Sequence, residues 1–272
     1  MLKGIIAPDG KELDWNSYLS IDENWAYPKA IRCALFESLN RQRTRWISVT
    51  TLLYCLRKAK LEFERDYYLK QEDAYYFMRG NLLHGILASV AGKDALVEFE
   101  LSYKFPGTDI VLGGQLDLWE NGILDDYKTM ADTGIHILKR EGIKEEYRWQ
   151  TNIYKYLLKK IKNLDTKEVR IIFLMMSKCI VSGRNFRIFN QKKQIDDIFT
   201  MEKCPMYSDD KIESFLVPKI KLLDAGHNPP ANPQAWLCKS CYFKNECKEM
   251  IGKGSAEVKT IDREKTSGGE LF

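Results

Sequence analysis

Residues 113–129 read Gly-Gly-Gln-Leu-Asp-Leu-Trp-Glu-Asn-Gly-Ile-Leu-Asp-Asp-Tyr-Lys-Thr. Asn-Gly between two alternating runs is a strong hairpin signal. Side chains alternate across a strand, so Asp126 and Lys128 share one face while Asp125 and Tyr127 take the other. The turn brings Asp117 back alongside them. Two carboxylates and an ammonium gathered at one end of a sheet are costly to hold together unless a hard cation lies between the carboxylates. Mg²⁺ suits the position, with oxygen ligands at ~2.0–2.1 Å and several retained waters. A water acidified by that metal and oriented by Lys128 is a nucleophile for phosphodiester hydrolysis. Glu98 and Glu100, on the preceding strand, are competing carboxylates and rank below this set.

Two more segments fall in order around the hairpin: RGNLLHG, carrying His84, and WQTNIYKY, carrying Gln150 and Tyr154. Asp117 followed by Asp126-Tyr127-Lys128 resembles the PD-(D/E)XK nuclease signature. His84 is similar to the helical histidine of its RecB-like branch, and Gln150 with Tyr154 to the Q-x3-Y motif that follows the catalytic strand there. The resemblance spans residues 48–158. It implies a restriction-endonuclease-like core, with His84, Asp117, Asp126 and the main-chain carbonyl of Tyr127 on Mg²⁺ or Mn²⁺, and Lys128 catalytic. Gln150 and Tyr154, one helical turn apart on a shared face, would brace the site or touch DNA.

The cysteines form a second constellation. WLCKSCYFKNECKEM places Cys238, Cys241 and Cys247 in a C-x2-C-x5-C spacing that needs a fourth ligand to close a tetrahedral or cluster site. No second local pair is present, and Cys55 in VTTLLYCLRK is the candidate fourth. One distant cysteine plus three resembles the iron-sulfur nucleases of the same superfamily, the AddB-like helicase-nuclease subunits and the CRISPR-associated adaptation exonucleases. The resemblance implies a 4Fe-4S cluster stapling the first helix to the C-terminal end. Zinc held with Cys55 or His227 and ordinary reduced cysteines are the alternatives, and Cys33, Cys179 and Cys204 are left over.

The elements that must position these groups follow from periodicity. Ser48 can cap a helix running through residue 61, and a second helix covers 72–90 with His84 in its second half. Strict alternation marks a strand over 97–105, followed by strands at 110–119 and 123–129. A helix is predicted over 147–161, strands over 169–176 and 184–189, and helices over 192–203 and 209–225. Three parts result: a helical N-terminal cap (1–46), a nuclease domain (47–251) including the cysteine module (236–251), and a flexible tail (252–272) ending in Leu271-Phe272. The fold class is α/β, with a central mixed sheet flanked by helices and a C-terminal four-cysteine module.

Composition sets the outer limits. The 272 residues are 44% hydrophobic and 29% charged, which excludes collagen, coiled coil and wholesale disorder. No run approaches a membrane span, and Pro8, Asp9 and Glu12 interrupt the N-terminus before a signal-peptide core can form, so a reducing cytoplasm is expected. The net charge of +4 is mild, but residues 29–65 hold nine basic and three acidic side chains, a local +6. That segment is a candidate DNA-tracking surface, with Arg57 inside it and Arg148 and Lys155 extending it. Trp15, Trp25, Tyr27 and Trp46 either stack on bases or pack the core.

The sequence reading is therefore a Mg²⁺- or Mn²⁺-dependent deoxyribonuclease acting on single-stranded DNA or DNA ends, most simply as an exonuclease. The alternatives are a structure-specific endonuclease and a non-catalytic iron-sulfur DNA-binding subunit. No G-x4-G-K-[ST] phosphate loop is present, so a helicase or replication or recombination partner would supply any unwinding.

Overall fold

The computed structural model describes residues 1–7, 9–21, 27–39, 46–177, 199–226, 228–230, 235–239 and 241–252. In chain order the elements are β1 (Leu2–Ile6), β2 (Glu12–Asp14), α1 (Trp15–Ser20), α2 (Lys29–Leu39), β3 (Ile47–Ser48), α3 (Val49–Tyr54) and α4 (Leu56–Glu64). Then come β4 (Tyr67–Lys70), α5 (Gln71–Ser89), β5 (Leu96–Lys104), β6 (Val111–Glu120), β7 (Ile123–Ala131), α6 (Asp132–Glu141) and α7 (Glu145–Lys162). The rest are β8 (Glu168–Ser177), β9 (Phe199–Lys203), α8 (Asp209–Asp224), α9 (Ala235–Lys239) and α10 (Lys244–Gly252).

The main sheet runs β3-β6-β7-β8-β9, with β5 also paired to β6. It is mixed: β5, β6 and β7 form an antiparallel meander, β7 pairs with β8 in parallel, and β3 joins β6 in parallel at Leu112 and Gly113. The expected hairpin forms on Asn121 and Gly122, both with positive φ (53° and 84°), the two-residue turn whose twist matches that of its strands. Helix α7 is amphipathic. Its buried Ile153 and Leu157 join Val49 and Leu52 of α3, Leu116, Leu124, Ile171 and Phe173 of the sheet, and Ile212 and Leu216 of α8 in one core.

A smaller sheet, β2-β1-β4, has its own core of Ile5, Leu13, Trp15, Tyr18, Leu35, Leu61, Leu69 and Met78. Residues 1–46, expected as a helical cap, thus supply two strands as well as two helices, and β1 pairs with β4 across the expected boundary at 46/47. Trp15 is a core residue here, which favours packing over base stacking for it. The C-terminal module closes onto the same core. Phe243 is buried in it, and Tyr242 stacks on Tyr67 at 4.5 Å with an interplanar angle of 5° while its hydroxyl donates to Glu62.

Three expectations change. The helix over 48–61 is broken: Cys55 is extended (φ −155°, ψ 113°), ending α3 and starting α4. Residues 199–203, read as the end of a helix, form the strand β9 because their side chains alternate against β8. β4 and α6 were not anticipated; β4 is only four residues long, too short for a period to show. The strand at 184–189, residues 192–198, Trp25, Cys179, His227 and the tail from 253 lie outside the described residues.

Phe243→Ala opens a cavity between the C-terminal module and the small sheet. It should cost about 3–5 kcal/mol, read as a lower urea midpoint with an unchanged slope.

Candidate active site

The β6–β7 ladder is short. It covers Leu118–Glu120 opposite Ile123–Asp125, after which the two strands part. Asp117, the first residue beyond the ladder, turns its carboxylate into the gap and accepts the Tyr127 backbone N–H at 2.6 Å through Oδ2. A strand residue presents its N–H and C=O to the same side, so the Tyr127 carbonyl faces this gap too. Across the strand, Asp126 and Lys128 share a face as their alternation requires, with Lys128 Nζ 2.6 Å from Asp126 Oδ2. Asp125, on the opposite face, is held by Arg170 in a two-pronged pair at 2.5 and 2.6 Å.

Asp126 is 1% exposed. Burial pushes its carboxyl upward, and the adjacent Lys128 pulls it back. Lys128 is held cationic despite burial, because Asp126 and Asp117 both favour its charge. Its ammonium lies 5.3 Å from the centre of the Tyr147 ring, and Tyr54, pushed up to about 12 mainly by burial, lies within electrostatic reach of it. Asp126 Oδ1 is buried with no hydrogen-bond partner among the described residues. An orphaned, buried carboxylate oxygen is expensive, and a cation is the partner it fits.

The other ligands converge from α5 and β5. His84 Nδ1 is 3.3 Å from Asp117 Oδ1 and 3.3 Å from Glu98 Oε1. One ligand atom from each of His84, Glu98 and Asp117 lies within 4.8 Å of the others, close enough to share a single ion. Three carboxylates and an imidazole make a hard, mostly oxygen donor set that suits Mg²⁺ or Mn²⁺. Burial opposes charge on His84, but the hydrogen bonds that its Nδ1–H donates to the two carboxylates outweigh it and raise its pKa from 6.5 to about 10.

Glu98 is the residue that sequence reasoning ranked too low. Alternation put Glu98 and Glu100 on one face and could not choose between them. Register chooses: Val97 faces Leu118 and Phe99 faces Leu116, so Glu98 stands opposite Asp117, whereas Glu100 stands opposite Gln115. The Glu98 backbone is left-handed (φ 47°) inside a strand, a strained conformation that Gln115 supports by donating from Nε2 to the Glu98 carbonyl at 2.8 Å.

Gln150 and Tyr154 meet as expected, Gln150 Nε2 lying 3.2 Å from the Tyr154 hydroxyl, both buried. The Tyr154 phenol is pushed up to about 12, chiefly by burial, and lies within electrostatic reach of Asp126, Lys128 and Asp117. Its ring packs so closely on β6 that a Cβ at Gly114 would stand 2.7 Å from it, which explains the second glycine of Gly113-Gly114.

The proposed DNA-contacting cations are placed differently from expectation. Arg57 is 3% exposed; its Nε donates to the Pro229 carbonyl at 2.9 Å and its Nη1 lies 3.7 Å from Cys247 Sγ. Lys155 donates to the Tyr207 carbonyl at 2.6 Å and lies 3.9 Å from Asp209. Both are tethers within the fold, which corrects their assignment to phosphate. Arg148 is partly buried beside Gly142.

The chain belongs to the PD-(D/E)XK nuclease superfamily: the family profile matches residues 60–248, well over half of its length and including His84, Asp117, Asp126 and Lys128. Solved structures similar to it include SSO0001, 18% identical, covering 78% of this chain and 91% of that one at a TM-score of 0.49. A candidate exonuclease from Eubacterium rectale is 12% identical, covering 68% and 64% at a TM-score of 0.34. No curated protein matches the sequence. Among the described residues no helix is long and apolar enough to cross a membrane.

In metal-free protein the folded His84 pKa of about 10 lies above 6.5. Its pairing therefore stabilises the fold in full below about pH 6.5 and is lost as pH rises through about 10. Thermal unfolding in chelator should show wild type losing stability relative to His84→Gln across that window, and metal binding should release a proton.

Proposed function

We propose that this nuclease is a Mg²⁺- or Mn²⁺-dependent deoxyribonuclease acting as an exonuclease on single-stranded DNA or DNA ends. The observation that carries the catalytic part is the gap between β6 and β7, where Asp117, buried Asp126 with its orphaned oxygen, and Lys128 converge. His84, Glu98, Asp117, Asp126 and the Tyr127 carbonyl would hold the cation. When bound, the cation lowers the pKa of a water and offsets charge on the phosphate.

The chain's own groups do the rest. Asp126 fixes the Lys128 ammonium at the gap, where it would orient the attacking water and meet the phosphate oxygens as negative charge grows during displacement. Gln150 and Tyr154 brace that ammonium's surroundings. The preference for single strands and ends rests on the resemblance to the RecB-like branch. The alternatives, an endonuclease and a non-catalytic subunit, separate by experiment.

Asp126→Asn and Lys128→Met should each reduce cleavage of a linear single-stranded oligonucleotide by ~100-fold or more while strand binding persists. Cleavage at wild-type rate in both variants would remove the mechanism. Circular single strands should resist the wild-type enzyme; cutting of the circle makes it an endonuclease.

The same reading assigns a 4Fe-4S cluster to Cys55, Cys238, Cys241 and Cys247. Its support is their shared corner: Cys55 lies at the break between α3 and α4, the half-buried Cys241 thiol lies within electrostatic reach of Cys55 and Cys238, and Arg57 joins Cys247. Anaerobically purified protein should be brown and carry about four irons per chain, with the colour lost in Cys55→Ser. A colourless protein holding zinc would replace the cluster and leave the hydrolytic reading intact.

A further inference from the structure

Helix α5 delivers His84 to the site, and it also carries five exposed large apolar side chains: Tyr75, Tyr76, Phe77, Leu82 and Ile86. At 3.6 residues per turn, Tyr75, Leu82 and Ile86 lie on the side of the helix away from His84. Phe77 does not. It stands seven residues before His84, on the same stripe, about 10 Å along the helix axis. It is 55% exposed although its neighbour Met78 is buried in the small-sheet core.

Between Phe77 and His84 on that stripe lies Gly80. A Cβ built at Gly80 would meet nothing within 4 Å. The surface over Gly80 is therefore open, running along the bare backbone of α5 from the exposed Phe77 to His84, which stands beside Asp117 and Glu98. A phosphodiester held at that end must send a neighbouring base somewhere, and a flat apolar ring a nucleotide or so away is suited to receive it.

We propose that Phe77 is the stacking platform for a base of a single-stranded DNA substrate, seated over Gly80 beside the scissile phosphate. The proposal rests on the hydrolytic reading above and deepens it. Stacking needs a free base face, which a paired base inside a duplex does not offer, so Phe77 selects single strands and frayed ends. It does so without reading sequence, because every base has a π-face. The continuity of this open surface with the His84, Glu98 and Asp117 cluster argues for a strand held at that cluster as its occupant. The apolar residues on the far side of α5 share no such continuity.

The test uses full-length protein carrying Lys128→Met, in Mg²⁺, with two labelled probes: an oligothymidylate strand and a strand of equal length made of abasic residues. Fluorescence anisotropy reads the binding. Adding Phe77→Ala should weaken the oligothymidylate complex roughly 5- to 150-fold, the equivalent of ~1–3 kcal/mol for one stacked base, and leave the abasic complex unchanged. Phe77→Trp should restore it. An equal loss on both probes, or no loss on either, overturns the platform while the hydrolytic reading stands. If the Lys128→Met protein binds neither strand and Asp126→Asn fails to slow cleavage, the hydrolytic reading falls and takes the platform with it.

Discussion

Asp117 takes the Tyr127 amide at 2.6 Å where a sheet would have placed a β6 carbonyl. Every other feature of the site depends on that exchange. β7 needs a partner for the edge that β6 abandons after Leu118, and a carboxylate supplies one with a strong charge-assisted hydrogen bond. The strands can then diverge without leaving that amide unsatisfied. The gap admits the Tyr154 ring over Gly114, turns the Tyr127 carbonyl toward the ligands, and lets His84 enter from α5. Parallel pairing of β7 with β8 holds the other edge in continuous register from Ile123 to Met130, so the opening stays on one side.

The site stores charge that the fold alone does not neutralise. Asp117, Asp126 and Glu98 face one lysine and one histidine, and Asp126 Oδ1 has no hydrogen-bond partner among the described residues. Burial resists ionisation of Asp126, while its pairing with Lys128 keeps the ammonium charged. The left-handed Glu98 adds backbone strain at the same place. Unsatisfied oxygen, backbone strain and a raised imidazole pKa thus meet in one small volume, as they do in preorganised functional sites.

The cysteine corner is built on different physics. Phe243 and Tyr242 pack the C-terminal module onto the small sheet, and Arg57 reaches from α4 to the Pro229 carbonyl and Cys247. Opposite ends of the chain are thus joined by apolar packing and a buried guanidinium. The residues 1–46 take part in this junction through β1 and β2, so the small sheet and the cysteine module form one packed unit.

Much of the candidate site's geometry was legible in the sequence because strand alternation and an Asn-Gly turn are local rules. Asp126 and Lys128 had to share a face, Asp117 had to return beside them, and the long helix α5 and the amphipathic helix α7 had to carry His84, Gln150 and Tyr154. Local rules could not rank Glu98 above Glu100, since both have the same alternation and only the β5–β6 register tells them apart. Nor could they place Arg57, Lys155 or Phe77. Whether a side chain is a tether, a phosphate contact or an open aromatic wall is decided by what lies across from it. Sequence determined the residue types and faces through periods of 2 and 3.6. Only tertiary structure decided which faces meet, because register, strand divergence and burial arise between segments far apart in the chain.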